Sequence, residues 1–281
     1  MPKSGRPEIL SSKDKSLIIR SVVKDPWTTS SDIVNDLRKY GEKIISRQTI
    51  GKLLKENDLK SFKAPKKPYI TKLTRQKRLN FCEKYKNLDW KNVIFSDECR
   101  IICFGSNKPP LVRRPIGQSL NPKYTIPTVK KPFSVMIWGC FRGDEIGPLH
   151  IVENSMNGEQ YTRILDSKLI RFYRSNENSI FQDDSAPCHR CNLVQRWHED
   201  NGIRQLDWPT NSPDLNPIEN LWSFVKRKLA AKRPYNKRTL IEAIVKVWNH
   251  EIPKELLLKL SDSMKKRIED CKSLKGYATK Y

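Results

Sequence analysis

The sequence has 281 residues, of which 54 are Lys or Arg and 31 are Asp or Glu, so its formal net charge is +23 and its pI is about 9.8. This length favours about two domains, and such a basic chain attracts polyanions, with nucleic acid the natural partner. A hydrophobic fraction of 37% with seven Trp excludes global disorder, and the absence of a long apolar run excludes a membrane-spanning helix. A ribosome-associated protein or a merely basic surface remains an alternative at this point.

The cysteines and the start of the sequence favour an intracellular protein. Seven Cys is an odd number, and their scattered positions predict free thiols in a reducing compartment. The first residues contain no apolar stretch of the kind that a signal peptide needs.

Three short helices are predicted in the first sixty residues. Serines precede each apolar-periodic run, with Ser11 or Ser12, Ser30 or Ser31, and Ser46 as the capping candidates. Three small helices with a basic third helix are typical of a helix-turn-helix module, for which we take residues 8–59. The first turn of its last helix would meet base edges, and there it carries Arg47, Gln48 and Thr49. An ordinary three-helix bundle with solvated side chains is the alternative.

Residues 60–90 are interpreted as a basic linker. Between Lys60 and Arg78 no acidic residue occurs, and two prolines interrupt any continuous helix. A linker of this composition can follow DNA phosphates, and Lys63, Lys66 and Lys67 are the predicted contacts. A solvated linker or a nuclear-import signal would have the same composition.

Residues 91–281 are predicted to form an α/β domain. Apolar runs predict strands at 93–95, 101–104, 134–141, 147–152, 180–181 and 203–206. Helical spacing predicts helices at 160–173, 193–200 and 217–228. This order of elements favours a mixed sheet with helices on both faces.

A basic, proline-rich insertion at 108–131 interrupts this domain. It holds no acidic residue, and it includes Arg113 and Arg114 as candidate DNA contacts. So long an irregular segment inside a compact domain is usually functional.

Acidic residues follow two of the predicted strands and open one predicted helix. Asp97 and the pair Asp183–Asp184 come after apolar runs, and Glu219 lies in the first turn of the helix at 217–228. Carboxylates that converge from such positions can hold two divalent cations for phosphoryl transfer, and Mg²⁺ suits them. Each residue also has a structural reading, because strand-end aspartates cap turns and Glu219 fits a capping box with Asn216.

The combined motifs resemble those of the Tc/mariner superfamily of transposases, in particular its Tc-one-like branch. The principal blocks are residues 96–98, 181–189 and 207–222, with further likeness at 112–117, 135–141 and 276–281. By this resemblance Asp184, five residues before His189, is the second catalytic aspartate. Thirty-four residues separate it from Glu219, which is the spacing of this branch. His189 itself is either a neighbour of the site or a structural residue.

The resemblance implies an RNase H-like catalytic domain that cleaves transposon ends and transfers the freed 3′-OH to target DNA at TA dinucleotides. It implies that Asp97, Asp184 and Glu219 are the catalytic and metal-binding residues, with Mg²⁺, or Mn²⁺ as its substitute. The partners implied are double-stranded DNA and a second copy of the chain, with the insertion at 108–131 as the clamp loop of a homodimer. The expected localisation is the nucleus.

Two departures from the family pattern carry expectations. Asp183 stands where relatives usually have Gln, so an added carboxylate is expected to raise the negative charge beside the site. Residues 5–8, Gly-Arg-Pro-Glu, resemble the family's minor-groove linker and stand at the start of the sequence, so we expect only the second helix-turn-helix subdomain to be present. Glu8 replaces the usual basic residue of that linker and is expected to weaken its insertion into the minor groove. Weak, salt-sensitive and poorly specific binding of DNA ends is expected from this.

Other functions remain open on the sequence. An element-derived DNA-binding protein without transposition activity would keep the basic module, and another RNase H-like nuclease or retroviral-type integrase would keep the carboxylates. The helix-turn-helix and the block at 216–222 favour the transposase.

Overall fold

A computed structural model describes residues 9–40, 45–64, 67–102, 112–125, 133–153, 156–232, 234 and 236–281. The chain divides into two compact units, residues 1–66 and 67–281. This boundary falls inside the segment 60–90 that the sequence suggests as a linker. In the described part of the chain, no helix combines the length and the apolar character that crossing a bilayer requires.

The first unit contains three helices: α1 (Ser12–Lys24), α2 (Ser30–Tyr40) and α3 (Arg47–Glu56). Ser11 caps α1 in a capping box with Asp14, and Ser46 caps α3, as the sequence predicts. At α2 the prediction is wrong by one residue, because Thr29 accepts the hydrogen bond from the Asp32 amide. A small apolar core joins the helices, formed by Leu10, Ile18, Ile33, Val34, Ile45, Ile50, Leu53 and Leu54.

The second unit is built on a four-stranded mixed sheet of order β3-β2-β1-β4. Its strands are β1 (Val93–Ile102), β2 (Ser134–Arg142), β3 (Glu145–Val152) and β4 (Ile180–Gln182). The central strand β1 pairs antiparallel with β2 and, over its first residues only, parallel with β4. The sequence predicts two strands where β1 is one, because the polar residues at 96–98 interrupt the apolar pattern without interrupting the pairing.

Helices cover both faces of this sheet, which confirms the predicted fold class. On one face the core includes side chains of α4 (Lys72–Lys84), α8 (Ile218–Lys232), α9 (Lys237–His250) and α10 (Lys254–Ser273). The predicted linker therefore contains a helix that packs on the sheet domain. Arg78 of α4 is fully buried, so its assignment to a phosphate-facing linker is wrong.

The other face is covered by α5 (Gly158–Ile164), a π-helical turn (Leu165–Leu169), α6 (Ile170–Arg174) and α7 (Asn192–Asp200). The predicted strand at 203–206 is reduced to one bridge between Phe181 and Gln205. Within the predicted insertion, the described residues 112–125 are almost all exposed and contain a single 3₁₀ turn, Pro122–Tyr124. Residues 103–111 and 126–132 lie outside the described part.

Candidate active site

The two aspartates come together because β1 and β4 run parallel. Phe95 of β1 is paired with Gln182, the last residue of β4. Asp97 and Asp184 each follow that pair by two residues, so both lie where β4 has ended and β1 continues. Ligands of open α/β sheets bind at such carboxyl ends of strands.

Glu219 reaches the same edge from the first turn of α8. The Asn216 side-chain amide donates to the carbonyl oxygen of Ser96 at 3.3 Å, and its oxygen accepts from the Ile218 amide at 3.3 Å. One side chain thus caps the helix and joins it to β1 beside Asp97. Asn216 therefore caps the start of the helix, and the same side chain holds that start, with Glu219 in its first turn, against β1.

A buried polar framework links the three segments that carry the candidate carboxylates. The Ser96 hydroxyl donates to the carbonyl oxygen of Gln182 at 2.8 Å, while the Ser96 carbonyl accepts from Asn216. These three residues are buried, and they precede Asp97, Asp184 and Glu219 by one, two and three positions. The framework fixes the backbone from which each carboxylate extends.

The carboxylates repel one another. Burial is the largest cause that raises the pKa of Asp97, followed by the charges of Glu219, Glu98 and Asp184. The Trp222 indole N–H of α8 donates to Asp97 Oδ2 at 3.1 Å and orients it. Burial also raises the pKa of Glu219, against the opposing effect of Lys226.

His189 lies between two carboxylates of this cluster. Its Nδ1 is 2.7 Å from Asp184 Oδ1 and its Nε2 is 3.4 Å from Glu98 Oε1. Burial alone would lower the pKa of His189, but these carboxylates outweigh it and raise the pKa to about 11. Tyr161 stacks on the imidazole with a centroid distance of 3.9 Å. His189 is therefore a neighbour of the site.

Asp183 points into the interior rather than towards the other carboxylates. It is buried and accepts hydrogen bonds from the Tyr161 hydroxyl at 3.2 Å and from the Gln205 amide at 3.1 Å. Burial is the main reason that its pKa rises to about 6. The charge of Asp183 contributes to raising the pKa of its neighbour His189, and the charge of Asp184 in turn raises the pKa of Asp183.

The donor set suits a hard divalent cation. Three carboxylates from different segments lie at a partly buried edge. Burial raises the pKa of Asp97 most, and the neighbouring carboxylates add negative charge that a cation would neutralise. Within the described residues, no three His, Cys, Asp or Glu side chains are arranged to hold one metal ion as they stand. Asp184 Oδ1 accepts a hydrogen bond from the Ala186 amide at 2.8 Å and lies 2.7 Å from His189 Nδ1.

The candidate DNA contacts differ in how far they are exposed. Arg47 and Gln48 are exposed on the first turn of α3, whereas Thr49 is half-buried and its amide donates to the Ser46 hydroxyl. Lys63, Arg113 and Arg114 are exposed, and Lys66 lies outside the described residues. Lys67 donates to the carbonyl oxygen of Thr279 at 2.5 Å.

Sequence reasoning misses Glu98 and Trp222 as members of the site. Glu98 follows Asp97 directly, and its partner His189 lies in the motif at 181–189. The presence of these two residues in the two motifs could have indicated that they meet at the site. Trp222 is predicted to be a core residue, and it is buried, yet its N–H contacts Asp97. Its position three residues after Glu219 on the same helix is the corresponding signal.

Comparisons with known proteins agree with both units. Residues 15–87 match a family described as "Transposase", and residues 92–241 match a family described as "DDE superfamily endonuclease". The chain is 36% identical to the transposable element Tc1 transposase of Caenorhabditis elegans and 34% identical to the Tcb1 transposase of Caenorhabditis briggsae. Each alignment covers 94% of this chain and 98% of the relative.

Solved structures share the fold at lower identity. The Mos1 transposase paired-end complex with the left transposon end superposes with a TM-score of 0.82 at 18% identity, covering 100% of this chain and 83% of that one. The Mos1 mariner paired-end complexes with Mn and with Mg each give a TM-score of 0.81 at 17% identity, covering 100% of this chain and 83% of that one. At this identity the likeness concerns the fold, in which the sheet domain is RNase H-like.

Proposed function

This chain belongs to the Tc1/mariner family of DDE-type transposases, and we propose that Asp97, Asp184 and Glu219 carry out its DNA cleavage and strand transfer. The observation that carries the assignment is the meeting of these carboxylates at one sheet edge, through the Ser96–Gln182–Asn216 framework. No covalent protein intermediate is required, because water and a DNA hydroxyl act as the nucleophiles.

In the cleavage step a water oxygen attacks a phosphorus at the transposon end, and the bond from phosphorus to the 3′-oxygen breaks. The attacking water gives up a proton and its oxygen stays on the 5′-phosphate, while the 3′-oxygen takes up a proton and becomes the free 3′-OH. In strand transfer this hydroxyl attacks a phosphodiester of the target, loses its proton, and displaces the target's own 3′-oxygen. We propose TA dinucleotides as the target and cut-and-paste transposition as the overall outcome.

Mg²⁺ is the proposed cofactor, with Mn²⁺ as a substitute, and Asp97, Asp184 and Glu219 would hold it. Bound divalent ions supply Lewis-acid stabilisation of the attacking and leaving oxygens and lower the pKa of the attacking water. The chain's own residues set the geometry of these ligands: Trp222 orients Asp97, and Asn216 fixes the start of α8. Ala186 and His189 hold the carboxylate of Asp184.

Double-stranded DNA with the terminal repeats of the element is the proposed partner. Arg47 and Gln48 are exposed on α3 and suit contacts with base edges. Lys63, Arg113 and Arg114 are exposed and suit contacts with phosphates, and Lys66 and Lys67 are further proposed phosphate contacts. A homodimer in which the insertion at 108–131 reaches the second subunit, acting in the nucleus, completes the proposal. The net charge of +23 supports a nucleic-acid partner.

A nicking assay on terminal-repeat DNA with Mg²⁺ or Mn²⁺ tests the function. We expect metal-dependent nicks at the repeat ends that disappear in Asp184→Asn. Asp207→Asn is the matched control, because this carboxylate is exposed and its nearest ionic partner is Lys84 at 3.7 Å. Cleavage that persists in Asp184→Asn would refute the catalytic assignment. If the protein binds DNA but does not cleave it with either metal ion present, it is instead an element-derived DNA-binding protein.

A further inference from the structure

A second buried charged cluster lies beside the segment that leads to Glu219. Its members are Arg78 of α4, Arg267 of α10 and Asp214, and both arginines are at most 1% exposed. Burying such charges is costly unless each has well-placed partners. The contacts of this cluster therefore identify the segments that have to remain packed against one another to keep these charges paired.

Arg267 contacts the chain on both sides of Glu219. One guanidinium nitrogen donates to the carbonyl oxygen of Asp214 at 2.7 Å, five residues before Glu219. The other donates to the side-chain oxygen of Asn220 at 2.6 Å, one residue after it. This single side chain thus connects α10 to the approach and to the first turn of α8.

Residues 276–281, which we call the latch segment, pack over this cluster. Arg78 binds both carboxylate oxygens of Asp214, at 2.8 and 2.7 Å, and donates to the carbonyl oxygen of Gly276 at 3.0 Å. The Thr279 amide donates to Asp214 Oδ2 at 2.8 Å. The Arg267 guanidinium lies 4.2 Å from the ring centroid of Tyr281.

The latch segment fits closely against α4. Gly276 has φ +80°, and a Cβ on it would lie 2.6 Å from the carbonyl oxygen of Arg75. Arg75 in turn lies 4.4 Å from the ring centroid of Tyr277. Both cation–aromatic contacts and the peptide hydrogen bonds hold the segment across the cluster.

We propose that Arg267 is a positioning residue for Glu219. The latch segment holds Arg267 through the ring of Tyr281 and holds its partner Asp214 through the Thr279 amide. This inference rests on the proposed role of Glu219 in cleavage. The contacts of Arg267 span the first turn of α8, so their loss would let that turn shift. Displacement of a reacting group by about 1 Å can cost up to about a hundredfold in rate.

Two variants test this without removing a buried charge. Tyr281→Ala removes the ring beside Arg267, with Tyr281→Phe as the conservative rescue because the ring remains. Asn220→Ala removes the acceptor in the first turn of α8. Lys272→Ala is the matched control, since its ion pair with Glu83 also joins α10 to α4 but at the surface.

Single-turnover cleavage at saturating DNA and amide hydrogen exchange are measured for each variant, together with the melting temperature. In Tyr281→Ala and Asn220→Ala we expect a cleavage rate lowered roughly tenfold or more, with an unchanged half-saturating DNA concentration. We also expect faster exchange of the amides at 219–221, two of which bond to the Pro217 carbonyl oxygen. Tyr281→Phe and Lys272→Ala should match the unaltered chain.

The outcomes separate this inference from the proposed function. Full cleavage rates and unchanged exchange in both alanine variants, at a temperature where they are folded, would overturn it, as would an equal loss in Tyr281→Phe. If the unaltered chain does not cleave DNA, the proposed function fails. Hydrogen exchange then decides by itself whether the latch segment holds the start of α8.

Discussion

A neutral indole, a backbone amide and a histidine position the aspartates of the candidate site. Asp97 is oriented by an indole N–H, and Asp184 accepts from a backbone amide as well as from His189. The raised pKa of His189 makes it a cation beside Asp184, whereas the neutral indole leaves the charge of Asp97 uncompensated, which fits a site that binds a further cation. Preorganised ligands of this kind avoid the cost of rearrangement during the reaction.

Replacing Trp222 with Phe tests the orientation of Asp97. The ring volume is largely kept, but the hydrogen bond to the carboxylate is lost, and bonds to charged groups contribute about 1.5–3 kcal/mol. We expect the melting temperature to fall by a few degrees and cleavage, measured at a temperature where the variant is folded, to slow by roughly tenfold or more. Trp248→Phe is the matched control, because it loses an N–H bond to the Gly147 carbonyl in the same core. An equal loss of cleavage in both variants would argue against a specific role for Trp222.

Ser96→Ala tests the framework that joins the catalytic segments. The Gln182 carbonyl oxygen would lose its buried donor, so we expect the free energy of unfolding to fall by about 1–3 kcal/mol. Chemical denaturation measures this, with Ser223→Ala as the control at an exposed serine that donates to the Glu219 carbonyl oxygen. If the two variants were equally stable, the Ser96 bond would contribute little to the framework.

At the scale of elements, the close approach of β2 to α8 and α9 sets where Trp222 can lie. Gly139 of β2 is paired with Asp97, and a Cβ on it would come within 2.9 Å of the Trp222 and Trp248 rings. These two rings are stacked with centroids 5.1 Å apart. The strand needs glycine here because the helices supply large aromatic side chains at the same place.

Gly139→Ala should therefore disturb both stability and the site. Overpacking of a close-packed core costs about 1–3 kcal/mol, and we expect the free energy of unfolding to fall by that amount. Gly51→Ala in α3 is the contrast, since no atom lies within 4 Å of its Cβ and alanine favours helix. Thermal or chemical unfolding compares the two, and an unperturbed Gly139→Ala would show that the aromatic pair can move aside.

Local signals explain which elements the sequence could predict. Serine caps and apolar spacing are properties of neighbouring residues, so α1 and α3 were predictable from Ser11 and Ser46. Helices α9 and α10 are not among the predicted elements, although Leu240, Ile244 and Val247 recur at helical spacing. The continuity of β1 through Asp97 depends on pairing with β2, which no short window of sequence contains.

In the candidate site, too, some residues could be predicted from the sequence and some contacts could not. The carboxylates and their spacing follow from motifs, so Asp97, Asp184 and Glu219 could be chosen from the sequence. The contact between Arg267 and Asn220 could not, because it joins residues far apart in the chain. Arg78 shows the limit most clearly: a basic segment predicts solvent exposure, and only tertiary packing reveals its pairing with Asp214.

At the scale of the whole molecule, charge is divided between exposed cations and a small acidic site. Arg47 and Lys63 belong to the first unit, while the carboxylates belong to the second. Side chains of α3 that meet base edges would discriminate between sequences, whereas a lysine that meets a phosphate would not. The two kinds of contact therefore have different signatures in binding experiments.

Binding of terminal-repeat and scrambled DNA, measured by fluorescence anisotropy over a series of salt concentrations, distinguishes these roles. We expect Arg47→Ala to weaken binding to the repeat more than to scrambled DNA, by about 1–3 kcal/mol if it contacts a base. Lys63→Ala should weaken both equally and reduce the slope of log affinity against log salt by about one. Lys52→Ala is the control within α3, since this residue forms only an exposed ion pair with Glu56 at 3.9 Å. If Arg47→Ala weakened both DNAs to the same extent, Arg47 would contact phosphate, and sequence recognition would have to come from other residues.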